Sequence, residues 1–208
     1  MKQIRLLTIA ILLIASTSHA QINKGSTALG GNINFSTATS KTNNGLKETT
    51  TFLALYPSFM TTYKDNRAIG FNLSYQYSKS SSSNQKMNEY GAGIFLRQYK
   101  VLSKNFYAFA QEGLNFGYNK ISPDTVNSFN SKNTSIAFTV NPGIAYDLSK
   151  RVQLELILFN DLLSAEYSHS KTTGFSGTIK SNSFNLGANL DGSQLTSLNI
   201  GAKIFFGR

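Results

Sequence analysis

In Ala68 to Ser78, AIGFNLSYQYS, the residues Ile69, Phe71, Leu73, Tyr75 and Tyr77 alternate without a break with Ala68, Gly70, Asn72, Ser74, Gln76 and Ser78. Successive side chains of a strand point to opposite faces, so a period of two predicts a strand with one apolar face. Ser135 to Tyr146 repeats the pattern with Ile136, Phe138, Val140, Ile144 and Tyr146. Ser197 to Phe206 repeats it with Leu198, Ile200, Ala202, Ile204 and Phe206. Weaker alternation in Gly25 to Thr39, Glu48 to Tyr63, Asn88 to Lys100, Asn105 to Tyr118 and Val152 to Tyr167 brings the expected number of strands to eight. Several run past ten residues, longer than the usual five or six of soluble sheets.

The connections alternate in length. Lys64 to Arg67, Leu102 to Lys104 and Asp147 to Lys150 are short, whereas Ser40 to Lys47, Lys79 to Met87, Asn119 to Thr134 and Ser168 to Asn182 are long and polar. Short turns at one end and long loops at the other predict an all-β, closed, antiparallel up-and-down barrel that crosses a membrane. Pro57 and Pro142 remove ladder donors and predict bulges or weak pairing. A phase change near Glu112-Gly113 predicts a bulge at Gly113. Phe184, Leu186, Ala188 and Leu190 alternate upstream of the last strand, and residues 183–206 are too long for one crossing. Their first part is expected to extend beyond the membrane or form a small hairpin.

The second face of these strands separates a membrane barrel from a soluble ligand-binding one. It is small and uncharged, rich in Gly, Ala, Ser, Asn and Gln, which makes a poor aqueous exterior but a suitable narrow interior. Charged residues are 14% of the chain, against roughly a quarter in soluble proteins. The apolar face is therefore expected against lipid, where unpaired sheet edges are forbidden and the sheet must close. Tyr63, Tyr75, Tyr77, Tyr90, Tyr99, Tyr118, Tyr146 and Tyr167 lie near expected strand ends, as an interfacial girdle or as ordinary strand tyrosines. Lys2 and Arg5, an apolar run from Leu6 to Ala15 and Ser18-His19-Ala20 predict a signal peptide over 1–20, leaving one domain over 21–208. With no Cys, disulfides and thiol chemistry are excluded.

The closing NIGAKIFF, with Asn199, Gly201, Ile204 and Phe206 in place, resembles the C-terminal signal by which the barrel assembly machinery recognises its substrates. Together with GFNLSYQY, GAGIFLRQY and NPGIAYDLSKRVQLEL, it makes residues 25–206 similar to the small, porin-like outer-membrane β-barrel family of Gram-negative bacteria. Gly207-Arg208 departs from members that end on the aromatic residue. The resemblance implies an outer-membrane location, with outer-membrane lipid, lipopolysaccharide and the assembly machinery as partners.

Eight strands leave an interior that side chains fill, so an envelope-structural or surface-interaction role without a cofactor is expected. A narrow channel for small or hydrophobic solutes is the alternative. Arg97 and Glu112 lie on strands joined by the Leu102 turn at roughly facing heights, and are expected either to point inward as an interior ion pair or to stand as separate solvated charges near the rim. The loop lysines Lys41, Lys47, Lys79, Lys86, Lys120, Lys132, Lys171 and Lys180 form either a basic rim for lipopolysaccharide or a solvated surface. Some members of the resembled family modify lipid A with Ser and His. Here His169, between Ser168 and Ser170, points away from both along a strand, and no enzyme is expected. The scattered basic residues offer no platform for nucleic acid.

Overall fold

The computed structural model describes residues 22–41, 47–81, 85–123, 130–159, 161–174, 177–188 and 199–207. The expected signal peptide lies outside them. The described residues form ten strands in order: β1 (Thr27–Lys41), β2 (Lys47–Lys64), β3 (Arg67–Ser80), β4 (Gln85–Ser103), β5 (Phe106–Pro123), β6 (Asn130–Asp147), β7 (Val152–Ile157), β8 (Leu163–Gly174), β9 (Gly177–Ala188) and β10 (Asn199–Phe206). β1 to β6 pair antiparallel in sequence order; at the end that holds the tight turns, β6 pairs β7, β7 pairs β10 and β10 returns to β1. The sheet thus closes as an eight-staved, up-and-down barrel.

Two staves are each built from two strands. β7 covers the lower part of β6 from Gly143 to Asp147, and β8 covers the upper part from Asn130 to Val140. Between them the chain leaves the ladder opposite Pro142, the expected weak point. The Leu158 amide donates to the Pro142 carbonyl, and Asp161, at a φ of 55°, donates its amide to Asn141 Oδ1. β9 lies along β8 and β10 along β7, so residues 183–188 are the upper part of the eighth stave, neither an extension beyond the barrel nor an extra hairpin. At Pro57 the β2–β3 ladder lapses over two residues and resumes in the same register, which is weak pairing without a bulge.

The strands also run further than their apolar alternation. β4 has 19 residues, about 48 Å of height at ordinary rise and tilt, against an apolar band of about 25 Å. Most of the expected long loops are therefore strand: above the band both faces meet water, and alternation disappears from the sequence although pairing continues.

The outer face carries the apolar belt, with Ile69, Phe71, Leu73, Ile94, Leu114, Phe116, Phe138, Leu186 and Ile200 exposed. Burying such a surface in hydrocarbon removes it from water, while the ladders satisfy the backbone along their paired edges, the closing seam joining residues 27–32 to residues 201–206. Inside, the lower half holds the buried cluster of Met60, Phe95, Tyr99, Tyr107, Phe109 and Phe205, joined by Ile22 from the segment before β1. Two lumen-facing glycines make room for its rings. A Cβ at Gly70 would overlap Phe95, and one at Gly143 would overlap Phe109.

Candidate functional site

Backbone and side chains fill the lower half of the lumen. Residues 22–25 cross the lower mouth: the Ile22 amide donates to Asn66 Oδ1 at 3.0 Å, the Asn66 amide donates back to the Ile22 carbonyl at 3.0 Å, and the Lys24 amide donates to Asp65 Oδ1 at 2.9 Å. Above Ile22 the aromatic rings interlock, with Tyr99 6.2 Å from Tyr107 and 6.0 Å from Phe109 between centroids. Tyr107 donates its hydroxyl to Asp147 Oδ2 at 3.0 Å, which satisfies its polar end.

A charged triad caps this plug. Glu155 on β7 accepts from Arg97 Nη1 at 2.5 Å through Oε1, and from Lys203 Nζ on β10 at 2.6 Å through Oε2. Arg97 also donates to Gln111 Oε1 from Nε at 3.1 Å and from Nη2 at 2.6 Å, and to the Tyr99 hydroxyl at 3.1 Å. Its guanidinium lies 4.2 Å from the Phe109 ring centroid and near the Phe95 and Tyr99 rings. The planar fork and weak hydration of guanidinium suit it to this mixed aromatic and polar seat. Paired through Glu155, and with Arg97 further hydrogen-bonded to Gln111 and Tyr99, these charges are tolerable in the interior.

Above the triad the lumen opens into a polar cavity of about 470 Å³ lined by Asn72, Gln76, Asn115, Thr139 and Glu89 among others. Glu89 is held by Gln76 Nε2 at 3.0 Å and Asn119 Nδ2 at 3.2 Å. Among the described residues no cluster of His, Cys, Asp or Glu has the arrangement of a metal site. His169 lies on the outer face with Nδ1 2.7 Å from Asn182 Oδ1, whereas Ser168 turns to the lumen side beside Ser183.

The register corrects the expected Arg97–Glu112 pair. Arg97 stands opposite Gln111, and Glu112 stands opposite Leu96 and Val140. Paired residues share a face, so Arg97 enters the lumen and Glu112 faces outward. No bulge occurs at Gly113, where the pairing runs straight through. The apparent phase change arises because Tyr107 and Phe109 are apolar residues on the lumen side, belonging to the plug. Tyr99, expected in the outer girdle, is in the plug for the same reason. Tyr63, Tyr90, Tyr146 and Tyr167 are exposed on the outside.

Glu112 lies midway along β5 between outward Phe106 and Tyr118, in the apolar belt. A carboxylate facing lipid at that depth is unfavourable, less so than a cation at the same place. Glu112→Leu is therefore expected to stabilise the folded barrel by about 1–2 kcal/mol, read as a higher urea midpoint in lipid vesicles; an unchanged or lower midpoint would contradict this placement of Glu112.

Of the expected assembly signal, Asn199 opens β10 opposite Ile157, and Gly201 faces the lumen against the Asn32 side chain. Ile204 and Phe206 face outward beside Leu29 and Thr27 on the closing seam. Glu155 and Lys203 are the interior residues that the sequence reading missed. Each stands on the non-apolar face of its strand, Glu155 between Leu154 and Leu156 and Lys203 between Ala202 and Ile204, and that was the available signal.

A wall apolar outside and polar within, closed on itself and edged with tyrosine, is a transmembrane barrel of the outer-membrane type. Among solved structures the chain is similar to neisserial surface protein A, NspA, at 15% identity over 90% of this chain and 100% of that one, with a TM-score of 0.44. It is similar to the translocator domain of the autotransporter NalP from Neisseria meningitidis at 8% identity over 98% and 93%, with a TM-score of 0.45. A major outer membrane protein from Thermus thermophilus matches at 12% identity over 90% and 100%, with a TM-score of 0.45. No curated protein matches the chain. A family model matches residues 6–179, most of its length, and the chain belongs to that family, described as "Putative MetA-pathway of phenol degradation".

Proposed function

We propose that this outer-membrane barrel is a non-enzymatic, envelope-structural protein whose lumen is closed to solutes and whose outer wall and upper rim make its contacts. The observation that carries the reading is the filled lower lumen, where Ile22, Tyr99, Tyr107, Phe109 and Phe205 lie beneath the Arg97–Glu155–Lys203 triad. Eight staves leave a narrow interior, and here large side chains occupy its lower half. Wild-type protein in a planar bilayer is expected to give no steady single-channel conductance in potassium chloride. Reproducible open-channel steps would overturn the closed lumen.

The open polar cavity above the triad, together with the family's description, favours a second reading in which the barrel is a narrow route for small solutes such as phenols. The cavity would be its vestibule and the plug its gate. Conductance that is absent in buffer and develops when phenol is added to the same bilayer would replace the first reading by this one.

A further inference from the structure

On four adjoining strands, β5, β6, β8 and β9, the outward residues form horizontal rows whose chemistry changes with height. Leu114, Phe138, Ala165 and Leu186 make one row, and Phe116, Ile136, Tyr167 and Phe184 make the next above it. Tyr118, Thr134, His169 and Asn182 follow. Above them stand Lys120, Lys132, Lys171 and Lys180, each directly opposite the next. Lys79 and Lys86 form a further outward pair on β3 and β4. The wall therefore passes from hydrocarbon-like to aromatic to polar to cationic within a few residues.

Four lysines in direct cross-strand register repel one another, which by itself weakens the sheet. Neighbouring strands are roughly 5 Å apart, so the row concentrates four positive charges within about 15 Å. Among the described residues no carboxylate shares this face at this height. Glu48, Glu89 and Glu166 occupy lumen-facing positions, and Glu112 lies far below Lys120 on the same strand. A row of unopposed cations, one polar row above an aromatic one, is at the height expected for the phosphates of a bilayer leaflet.

We propose that Lys120, Lys132, Lys171 and Lys180 form a binding site for the phosphates of an outer-leaflet glycolipid carrying more than one phosphate, whose acyl chains lie on the apolar rows beneath. This rests on the outer-membrane placement, with the tight-turn end towards the periplasm. Phosphate oxygens relieve the repulsion within the row through charge-assisted hydrogen bonds, and a headgroup with two phosphates can engage several lysines at once. Ammonium groups on flexible stems can follow a mobile headgroup without a fixed geometry.

The test uses the refolded chain in phosphatidylcholine vesicles doped with bisphosphorylated lipid A, with bound lipid A measured after detergent extraction and affinity capture. The fourfold variant Lys120→Gln, Lys132→Gln, Lys171→Gln, Lys180→Gln is expected to retain lipid A more than about tenfold less well than the wild type. The fourfold Lys→Arg variant is expected to retain it normally. Lys64→Gln, Lys104→Gln and Lys150→Gln together, at the opposite end of the barrel, are expected to change nothing. Dephosphorylated lipid A should bind wild type and fourfold Gln variant equally weakly. Undiminished binding by the Gln variant, or an equal loss in the opposite-end variant, would overturn the proposal. Equally strong retention of singly charged phosphatidylglycerol would overturn the preference for several phosphates. Heat-modifiable gel mobility is read on the same samples: a chain that never inserts sinks the membrane reading itself, whereas an inserted barrel indifferent to lipid A phosphates sinks only the lysine site.

Discussion

Replacing Glu155 by Gln is expected to lower the stability of the folded barrel by about 3–5 kcal/mol, because it leaves two cations in the interior with no counter-charge. The side chains of Arg97, Glu155 and Lys203 are each 4% exposed, so solvent contact is too slight to replace the carboxylate. The three members are not equivalent. Arg97→Gln removes the guanidinium from Gln111, Tyr99 and the aromatic rings but leaves Glu155 paired with Lys203. Lys203→Gln leaves Arg97 and Glu155 as a balanced pair. The expected order of cost is Glu155→Gln, then Arg97→Gln, then Lys203→Gln. Urea titration of the refolded variants in vesicles, followed by heat-modifiable mobility, measures all three. If the Lys203 variant lost the most, or all three lost the same, the triad would not be held together by charge balance.

The architecture was legible because its decisive constraint repeats. A strand in a barrel set in lipid must be apolar at every second position, and Ala68 to Ser78 shows that without interruption, so face and strand type follow from one segment. The turns Lys64 to Arg67 and Asp147 to Lys150 were legible by the same contrast. What was hidden obeys no local period. Glu155 lies 58 residues from Arg97 and 48 from Lys203, and β4 and β7 meet only across the lumen, so no single hairpin reveals the contact. The plug misled the reading for a related reason. Tyr99, Tyr107 and Phe109 are apolar because they fill a closed interior, and along one strand this looks the same as facing lipid. The lysine row was hidden because the upper ends of the strands meet water on both sides, so Asn119 to Thr134 and Ser168 to Asn182 read as loops. Only the pairing shows that their lysines stand side by side.

The plug carries the other large expected effect. Phe109 is 4% exposed, seats the Arg97 guanidinium at 4.2 Å, touches the Tyr99 ring and lies over Gly143, which has no side chain with which to refill the space. Phe109→Ala is therefore expected to cost about 3–5 kcal/mol, near the upper end for loss of a buried ring because the site is stiff: backbone ladders bound it on both sides. Leu114→Ala, on the same strand but facing lipid, should cost much less, since lipid chains flow into the space that a truncated side chain leaves. Combining Phe109→Ala with Tyr107→Ala should also open a path from the polar cavity to the lower mouth, and so give conductance where none is expected of the wild type. Two outcomes would separate the roles of these rings. A double variant that is strongly destabilised yet silent would make them a structural core above a second seal at Ile22. One that conducts while still running as a folded, heat-modifiable barrel would show that the rings close the lumen.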